Sequence, residues 1–312
     1  MIDTNKTIDN TGFSHLSSAE ANRFSNKDGS YNVKRIGISF FERFSILHTL
    51  LKMERWQFIS IILLYYLFVN TLFALIYFWL GVEDLKGAKI GSGWANEFLQ
   101  AFFFSAQTIT TVGYGHIHPT SVQTNIVAAL ESFTGILTFA VITGLIFARF
   151  SKPQAFIKFS ENALIAPYKN GKGLMFRLST YKNNQLTDLS AKVILSLHVN
   201  ENDTITTKFF VLPLEIEKIS SLSMSWTIVH EINEESPIFG MNVAELIENK
   251  VEIMVQINGF DDYIFHTVQQ RTSYIASEII FNAKFISMLG KTADGSMSIV
   301  DLGKLNAYEI VK

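Results

Sequence analysis

The sequence predicts a membrane α-helical core, two spanning helices around a shorter re-entrant apolar segment, joined to a separate β-rich domain. Three observations predict it. Two long apolar runs lack internal charge, a third run between them is too short to cross a bilayer, and past residue 155 the pattern changes to alternation with period two.

The first span is the clearest. Residues 56–82 contain no Asp, Glu, Lys or Arg, and within residues 58–80 only Ser60, Asn70 and Thr71 are plainly polar. At 1.5 Å per residue that core reaches roughly 34 Å, enough to cross with some tilt. The second span, residues 122–150, carries one acid, Glu131, before Arg149. Basic residues set the orientation: Lys34, Arg35, Arg43, Lys52 and Arg55 precede the first span, Arg149, Lys152 and Lys158 follow the second, and residues 81–121 hold only Lys86 and Lys89. Positive flanks stay inside, so both termini are expected in the cytoplasm of a multi-pass inner-membrane protein.

The short apolar piece, residues 98–112, should enter and leave from the outer side. Backbone cannot stay unpaired in lipid, so such a loop needs protein or a water-filled cavity around it, and one copy of two spans cannot enclose one. Several copies around an axis are expected. Before the first span, Ser39 and Glu42 fit a capping box ahead of apolar Phe44, Leu47 and Leu51, which reads as an amphipathic helix on the inner membrane surface.

Composition narrows the function. The chain has 312 residues, 48% hydrophobic, with a net charge of −2 and no cysteine. Disulfides, thiolate metal sites and cysteine nucleophiles are excluded, and no basic face argues for nucleic acid. The first 33 residues are polar and rich in Asn, Ser and Thr, without the apolar stretch of a signal peptide, and read as a mobile tail. The expected domains are that tail (1–38), the interfacial helix (39–53), the membrane domain (54–152) and a cytoplasmic domain (153–312).

The re-entrant segment ends in Thr110-Thr111-Val112-Gly113-Tyr114-Gly115. To be told from sodium, potassium must shed its water into stacked rings of oxygens. Backbone carbonyls of Thr111, Val112, Gly113 and Tyr114 from symmetric copies can supply them, with a threonine hydroxyl at the inner end. Turning successive carbonyls inward needs alternating backbone conformations, which Gly113 and Gly115 tolerate. Val112 and Tyr114 then brace the loop from behind. The preceding helix aims its carbonyl end, about half a negative charge, toward the entering cation.

Downstream, Val193, Leu195, Leu197 and Val199, and again Val251, Ile253, Val255 and Ile257, alternate as strands with one buried face. Turn signals at residues 170–173 and at Asn258-Gly259 separate strands. About 155 residues suffice for a domain with its own core. His230-Glu231 lacks the second histidine of a zinc motif, since position 234 is Glu, and reads as packing at a subunit boundary. No nucleophile–base constellation supports an enzyme.

The chain resembles the inward-rectifier potassium channel family, most closely its prokaryotic branch. The resemblance rests on Phe102-Phe103-Phe104-Ser105 before the loop and Gly115 with His118-Pro119 after it. It extends to Thr143-Gly144-Leu145-Ile146-Phe147-Ala148-Arg149-Phe150, to Trp226-Thr227-Ile228-Val229-His230-Glu231-Ile232 and to Glu235-Ser236-Pro237-Ile238-Phe239-Gly240. It implies an immunoglobulin-like β-sandwich, four copies extending a homotetrameric pore, passive potassium transport without a bound cofactor, and gating by the inner helix end, the cytoplasmic domain and membrane lipids, anionic ones among them.

Spacing puts Phe139, Thr143 and Phe147 on one helical face. The resemblance implies that Phe147 is the inner gate; a lipid-facing phenylalanine is the alternative. Gly135 is a hinge candidate or a small residue for close helix contact. Glu131 is a functional candidate as an acid within a span, though a hydrogen-bonding partner for the re-entrant helix is the better reading. The resemblance also implies a cytoplasmic pore lined by Asp188, Asn258 and Phe260, and lipid contacts at Arg55, Arg149 and Lys152. Three departures from animal members weaken the case for steep rectification and phosphoinositide activation. Phe139 stands at the cavity acid position, Gln107 replaces the acid of the re-entrant helix, and Gln154 replaces a basic residue. No arginine series marks a voltage sensor, and no role emerges for His116. A potassium-uptake transporter subunit would have four degenerate repeats, and a receptor anchor would not need an intact loop motif.

Overall fold

The computed structural model describes residues 23–37, 39, 45–91, 93–201, 204–292 and 294–311. They divide into two units, residues 36–152, and residues 153–311 together with 23–35.

In the membrane unit, α1 (Ile46–Lys52) is capped by Ser45, whose hydroxyl accepts from the His48 amide. The cap expected at Ser39 and Glu42 falls largely outside the described residues. No residue of α1 is buried, and Ile46 and Leu47 are exposed. Helix α2 (Arg55–Leu80) is 26 residues long and stops at Gly81, whose φ of 111° a residue with a β-carbon rarely adopts. Helix α3 (Trp94–Ile109) starts four residues before the expected 98, because Glu97 suits a helical first turn and its carboxylate holds the Gly91 amide at 2.8 Å. Helix α4 (Val122–Phe150) runs unbroken and is capped by Ser121 at the Thr124 amide. A ribbon of β1 (Leu85–Lys86) and β2 (His118–Pro119) ties the two loops beside α3 together. Ala74, Tyr77, Ala101 and Phe104 pack α2 on α3, with the Tyr77 and Phe104 rings edge to face, 5.0 Å apart.

The second unit is a two-sheet sandwich. One sheet has the order β11 (His266–Ile275), β10 (Glu252–Asp261), β6 (Leu186–Glu201), β7 (Thr204–Leu212), with β8 (Lys218–Ser221) also on β6. The other runs β12 (Ile279–Phe281), β4 (Ala163–Tyr168), β5 (Gly171–Thr180), β3 (Ile157–Phe159), with β9 (Ser225–Ile232) also on β5. All pairs are antiparallel except β12 with β4. The inward faces meet in one core, where Val193, Leu195, Leu197, Ile253, Val255 and Ile257 lie against Leu174, Phe176 and Leu178. Short ribbons β13 (Ala283–Phe285) with β16 (Tyr308–Ile310) and β14 (Leu289–Lys291) with β15 (Ser298–Val300) follow. Buried Arg177 gathers this end of the chain, donating to the carbonyls of Ile286, Lys304, Leu305 and Ala307. Helix α5 (Val243–Glu248) is capped by Asn242.

Asn258-Gly259 is not the expected turn between strands. It lies inside β10, where pairing with β6 slips between Asn258 and Phe260. A β-carbon on Gly259 would lie 3.1 Å from Leu189, so the glycine serves a close approach at a bulge. The reversal follows at residues 262–265, where buried Asp261 accepts from the Tyr263 amide at 2.9 Å.

Part of the stretch expected as a mobile tail is docked on this domain. Phe24 packs on Ile194, Phe209 and Met254, and its amide and that of Ser25 donate to the buried Glu252 carboxylate at 2.6 and 2.8 Å. Burial pushes the Glu252 carboxyl up, against the pull of these amides. Arg23 pairs with Glu278, and the Lys27 ammonium sits 4.9 Å from the Tyr274 ring centre. The outward positions Ile194 and Met254 are buried because Phe24 covers them.

Candidate functional site

The last turn of α3 leads directly into the motif. Thr110 stays in the right-handed helical region, and Val112 N–H folds back to the Gln107 carbonyl at 3.0 Å. From there φ alternates in sign. Thr111, Gly113 and Gly115 have φ of 60°, 53° and 79°, while Val112 and Tyr114 remain negative. The glycines meet the expectation. Thr111 in the left-handed region was not foreseeable, since a β-branched residue there costs on the order of 1–3 kcal/mol. Val112 and Tyr114 are 52% and 79% exposed, so the described residues of one chain leave much of both side chains uncovered.

Behind the loop, a buried polar network joins three helices. Glu131 of α4 accepts from Tyr77 Oη of α2 at 2.7 Å and from Ser105 Oγ of α3 at 2.5 Å. Ser105 Oγ is also 3.2 Å from Asn70 Oδ1, and Asn70 donates to the Tyr66 carbonyl at 2.7 Å. All four side chains are wholly buried. Both carboxylate oxygens are satisfied, as a buried acid requires. One turn further along α4, a β-carbon on Gly135 would lie 2.0 Å from the Ile109 carbonyl oxygen. Here α4 and the end of α3 touch backbone to backbone, a geometry that favours close contact over a hinge.

Below the motif an apolar cavity of about 720 Å³ opens between α2 and α4, lined by Val69, Thr110, Thr111, Gly135 and Phe139. Tyr65 and Thr138 hydroxyls meet across it at 3.1 Å. Phe139 and Phe147 are 74% and 72% exposed, and Thr143 is exposed with them, so their common face is largely uncovered among the described residues.

Of the expected lipid contacts, Arg149 is engaged within the chain. Its guanidinium donates to the carbonyls of Leu50, at 3.0 Å, and Met53, and lies 4.9 Å from the Phe58 ring centre. The negative end of α1 holds it, which tethers that helix to the end of α4. Arg55 and Lys152 are exposed.

In the β domain the bulge brings the remaining candidates together. Asp188, exposed and with φ of 47°, lies between Thr187, which pairs with Phe260, and Ser190, which pairs with Asn258. Asn258 Oδ1 accepts from Gln269 at 2.7 Å. Asp262 accepts from Thr187 Oγ1 at 2.9 Å. His230 is packed inside its own domain: Nδ1 donates to the Pro213 carbonyl and Nε2 accepts from Ser236 Oγ, both at 2.8 Å. Burial lowers its pKa, in keeping with a neutral ring.

The network at Glu131 and the tether at Arg149 escaped the sequence reading in their particulars. Their partners lie 54 and 26 residues away for Glu131, and 99 and 96 for Arg149, beyond any local pattern.

Comparison with known proteins agrees with both halves. Residues 157–312 match the family profile described as inward rectifier potassium channel C-terminal domain, and residues 61–152 match the ion channel profile. Inward rectifier potassium channel Kirbac3.1 of Paramagnetospirillum magnetotacticum is 32% identical over 289 residues, covering 91% of this chain and 95% of that protein. G protein-activated inward rectifier potassium channel 2 of Mesocricetus auratus is 29% identical, covering 86% of this chain and 67% of its own length. The Homo sapiens counterpart is 28% identical, with coverages of 86% and 68%. The structure of Spo0M, a sporulation control protein of Bacillus subtilis, aligns with 41% of this chain and 50% of its own at 10% identity. The TM-score is 0.23. The relatives are membrane ion channels and not enzymes, and potassium is the ion they conduct. Matched in both halves and along most of its length, the chain belongs to the inward rectifier potassium channel family.

Proposed function

We propose that four copies of this chain surround one axis and pass potassium down its gradient, with no bound cofactor. The observation that carries this is the alternation of φ sign over residues 111–115 at the end of a helix pinned from behind. Alternation turns successive carbonyls to one side, so four strands facing an axis stack rings of oxygens from Thr111, Val112, Gly113 and Tyr114, closed inside by the Thr111 hydroxyl. Potassium exchanges water for these oxygens. The exposed Val112 and Tyr114 are then covered by neighbouring copies, which explains why one chain leaves them bare.

On this reading Phe139, Thr143 and Phe147 line the inner pathway and Phe147 is the gate, where four rings exclude water. Asp188, Asn258 and Phe260 line a cytoplasmic vestibule. Arg55 and Lys152 meet anionic lipid headgroups, each contributing about 1 kcal/mol. Arg149 instead links α1 to the gate-bearing end of α4, a path by which lipid or the cytoplasmic domain could bias opening. Basic flanks keep both termini in the cytoplasm and the 81–121 connection outside, in the inner membrane.

The test is reconstitution. The purified protein is expected to run as a tetramer in mild detergent and to carry potassium into vesicles without an energy source. A monomer that conducts would contradict the assembly, and a tetramer that takes up no potassium would contradict the activity.

A further inference from the structure

Two histidines beyond the proposed filter remain without a role. His116 and His118 lie one and three residues past Gly115. Both are exposed, Ile117 between them is buried, and neither imidazole has a hydrogen-bonding partner among the described residues. Their backbone is held from two sides. A β-carbon on Gly87 would lie 1.9 Å from the His116 carbonyl oxygen, so the turn after β1 abuts this carbonyl. His118 pairs with Lys86 across the ribbon, and the Thr120 amide donates to the Asp84 carbonyl at 2.9 Å.

A fixed segment that presents two free imidazoles, with the side chain between them turned inward, has a specific chemical use. Neutral imidazole is a borderline-soft ligand that suits zinc, nickel and copper, whereas potassium and magnesium take oxygen. The pair would not compete for the conducted ion. Among the described residues, no group of three or more His, Asp or Glu side chains could hold a metal ion. One chain therefore offers two ligands, and water or the same pair on other copies must complete the shell.

We propose that His116 and His118 form an outward-facing site for a divalent transition metal of the zinc type, whose occupancy obstructs potassium passage at the filter mouth. The obstruction rests on the channel reading above. The two ligands themselves belong to one chain, so their affinity for the metal is measured separately from conduction. Charged residues in the ribbon and the connection beside it include Glu83, Asp84, Lys86 and Lys89. Lys86, opposite His118, works against a bound cation, so moderate affinity is expected.

The test uses zinc chloride alone on the full-length protein. Calorimetric titration of the tetramer is compared among wild type, His116→Gln, His118→Gln and the double variant. Currents across a planar bilayer are recorded with zinc on each side in turn. Loss of either histidine should weaken binding, and loss of both should weaken it at least about tenfold. Wild-type current should fall with zinc on one side only, magnesium should leave it unchanged, and the double variant should resist zinc. Equal zinc binding by the double variant would overturn the proposal, as would equal block from both sides. Absence of any zinc-free current in wild type would contradict the channel reading instead, while the calorimetric comparison would still decide the metal site.

Discussion

At Gly135 the absence of one carbon sets how closely two helices meet. A methyl group there would press on the Ile109 carbonyl at 2.0 Å, and backbone cannot swing aside as a flexible side chain does. Gly135→Ala is expected to cost about 1–3 kcal/mol of membrane-domain stability and to displace the residues that follow Ile109. The measurement is potassium selectivity together with the thermal stability of the tetramer; wild-type values for both would contradict the close-contact role. His230 gives a second expectation, in pH. Burial lowers its folded pKa below the ordinary 6.5, so the unfolded chain takes up the proton first on acidification. The stability this group contributes is complete above about pH 6.5 and is lost as pH falls toward the folded value. The Tm of the β domain should therefore drop between about pH 7.5 and about pH 5.5, and His230→Gln should flatten that fall. Some slope should persist, because burial and Lys250 also lower the pKa of His198. An undiminished slope in the variant would exclude His230 as its source. Residues whose need is local were readable in advance, as Gly113 and Gly115 illustrate. Thr111 was not, because its left-handed backbone is imposed by surroundings that its own side chain disfavours.

Helices and strands divide in the same way. The limits of α4 agree with the apolar run because lipid imposes a continuous requirement from end to end. Helix α3 begins before the apolar run because Asn96 and Glu97 interrupt the apolar pattern within its first turn, and Glu97 instead holds the Gly91 amide. Asn258-Gly259 carries a strong turn signal, yet tertiary contact with Leu189 uses the glycine for a bulge. The strap at Phe24 was hidden because its partners, Glu252 and Met254, follow more than 200 residues later. At the far end of α4, Phe147 is exposed within one chain and stands two residues from Arg149, which is tied to α1. Phe147→Ala is expected to raise the resting open probability, because a smaller ring of side chains lets water persist at the constriction. Single-channel recording checks this, and unchanged opening would return Phe147 to the lipid-facing surface.

The whole molecule is defined as much by what one chain leaves bare as by what it buries. The core of the β-sandwich is complete in itself, whereas Val112, Tyr114, Phe139 and Phe147 all stand open. Copies around an axis were expected from the re-entrant segment, and roles for Phe139 and Phe147 from the family resemblance, whereas the exposure of all four side chains in one chain became visible only in the structure. Four-fold assembly would cover these side chains and create the ion path in the same step. The most direct measurement is the reversal potential across a planar bilayer with potassium on one side and sodium on the other, for wild type and for Gly113→Ala. Gly113 holds φ of 53°, and a β-carbon there opposes the conformation that aligns the carbonyls. Wild type is expected to reverse far toward the potassium equilibrium potential, and Gly113→Ala to lose either that preference or all current while remaining a tetramer. Equal passage of sodium by wild type, or undiminished selectivity in Gly113→Ala, would contradict a potassium filter built from residues 111–115.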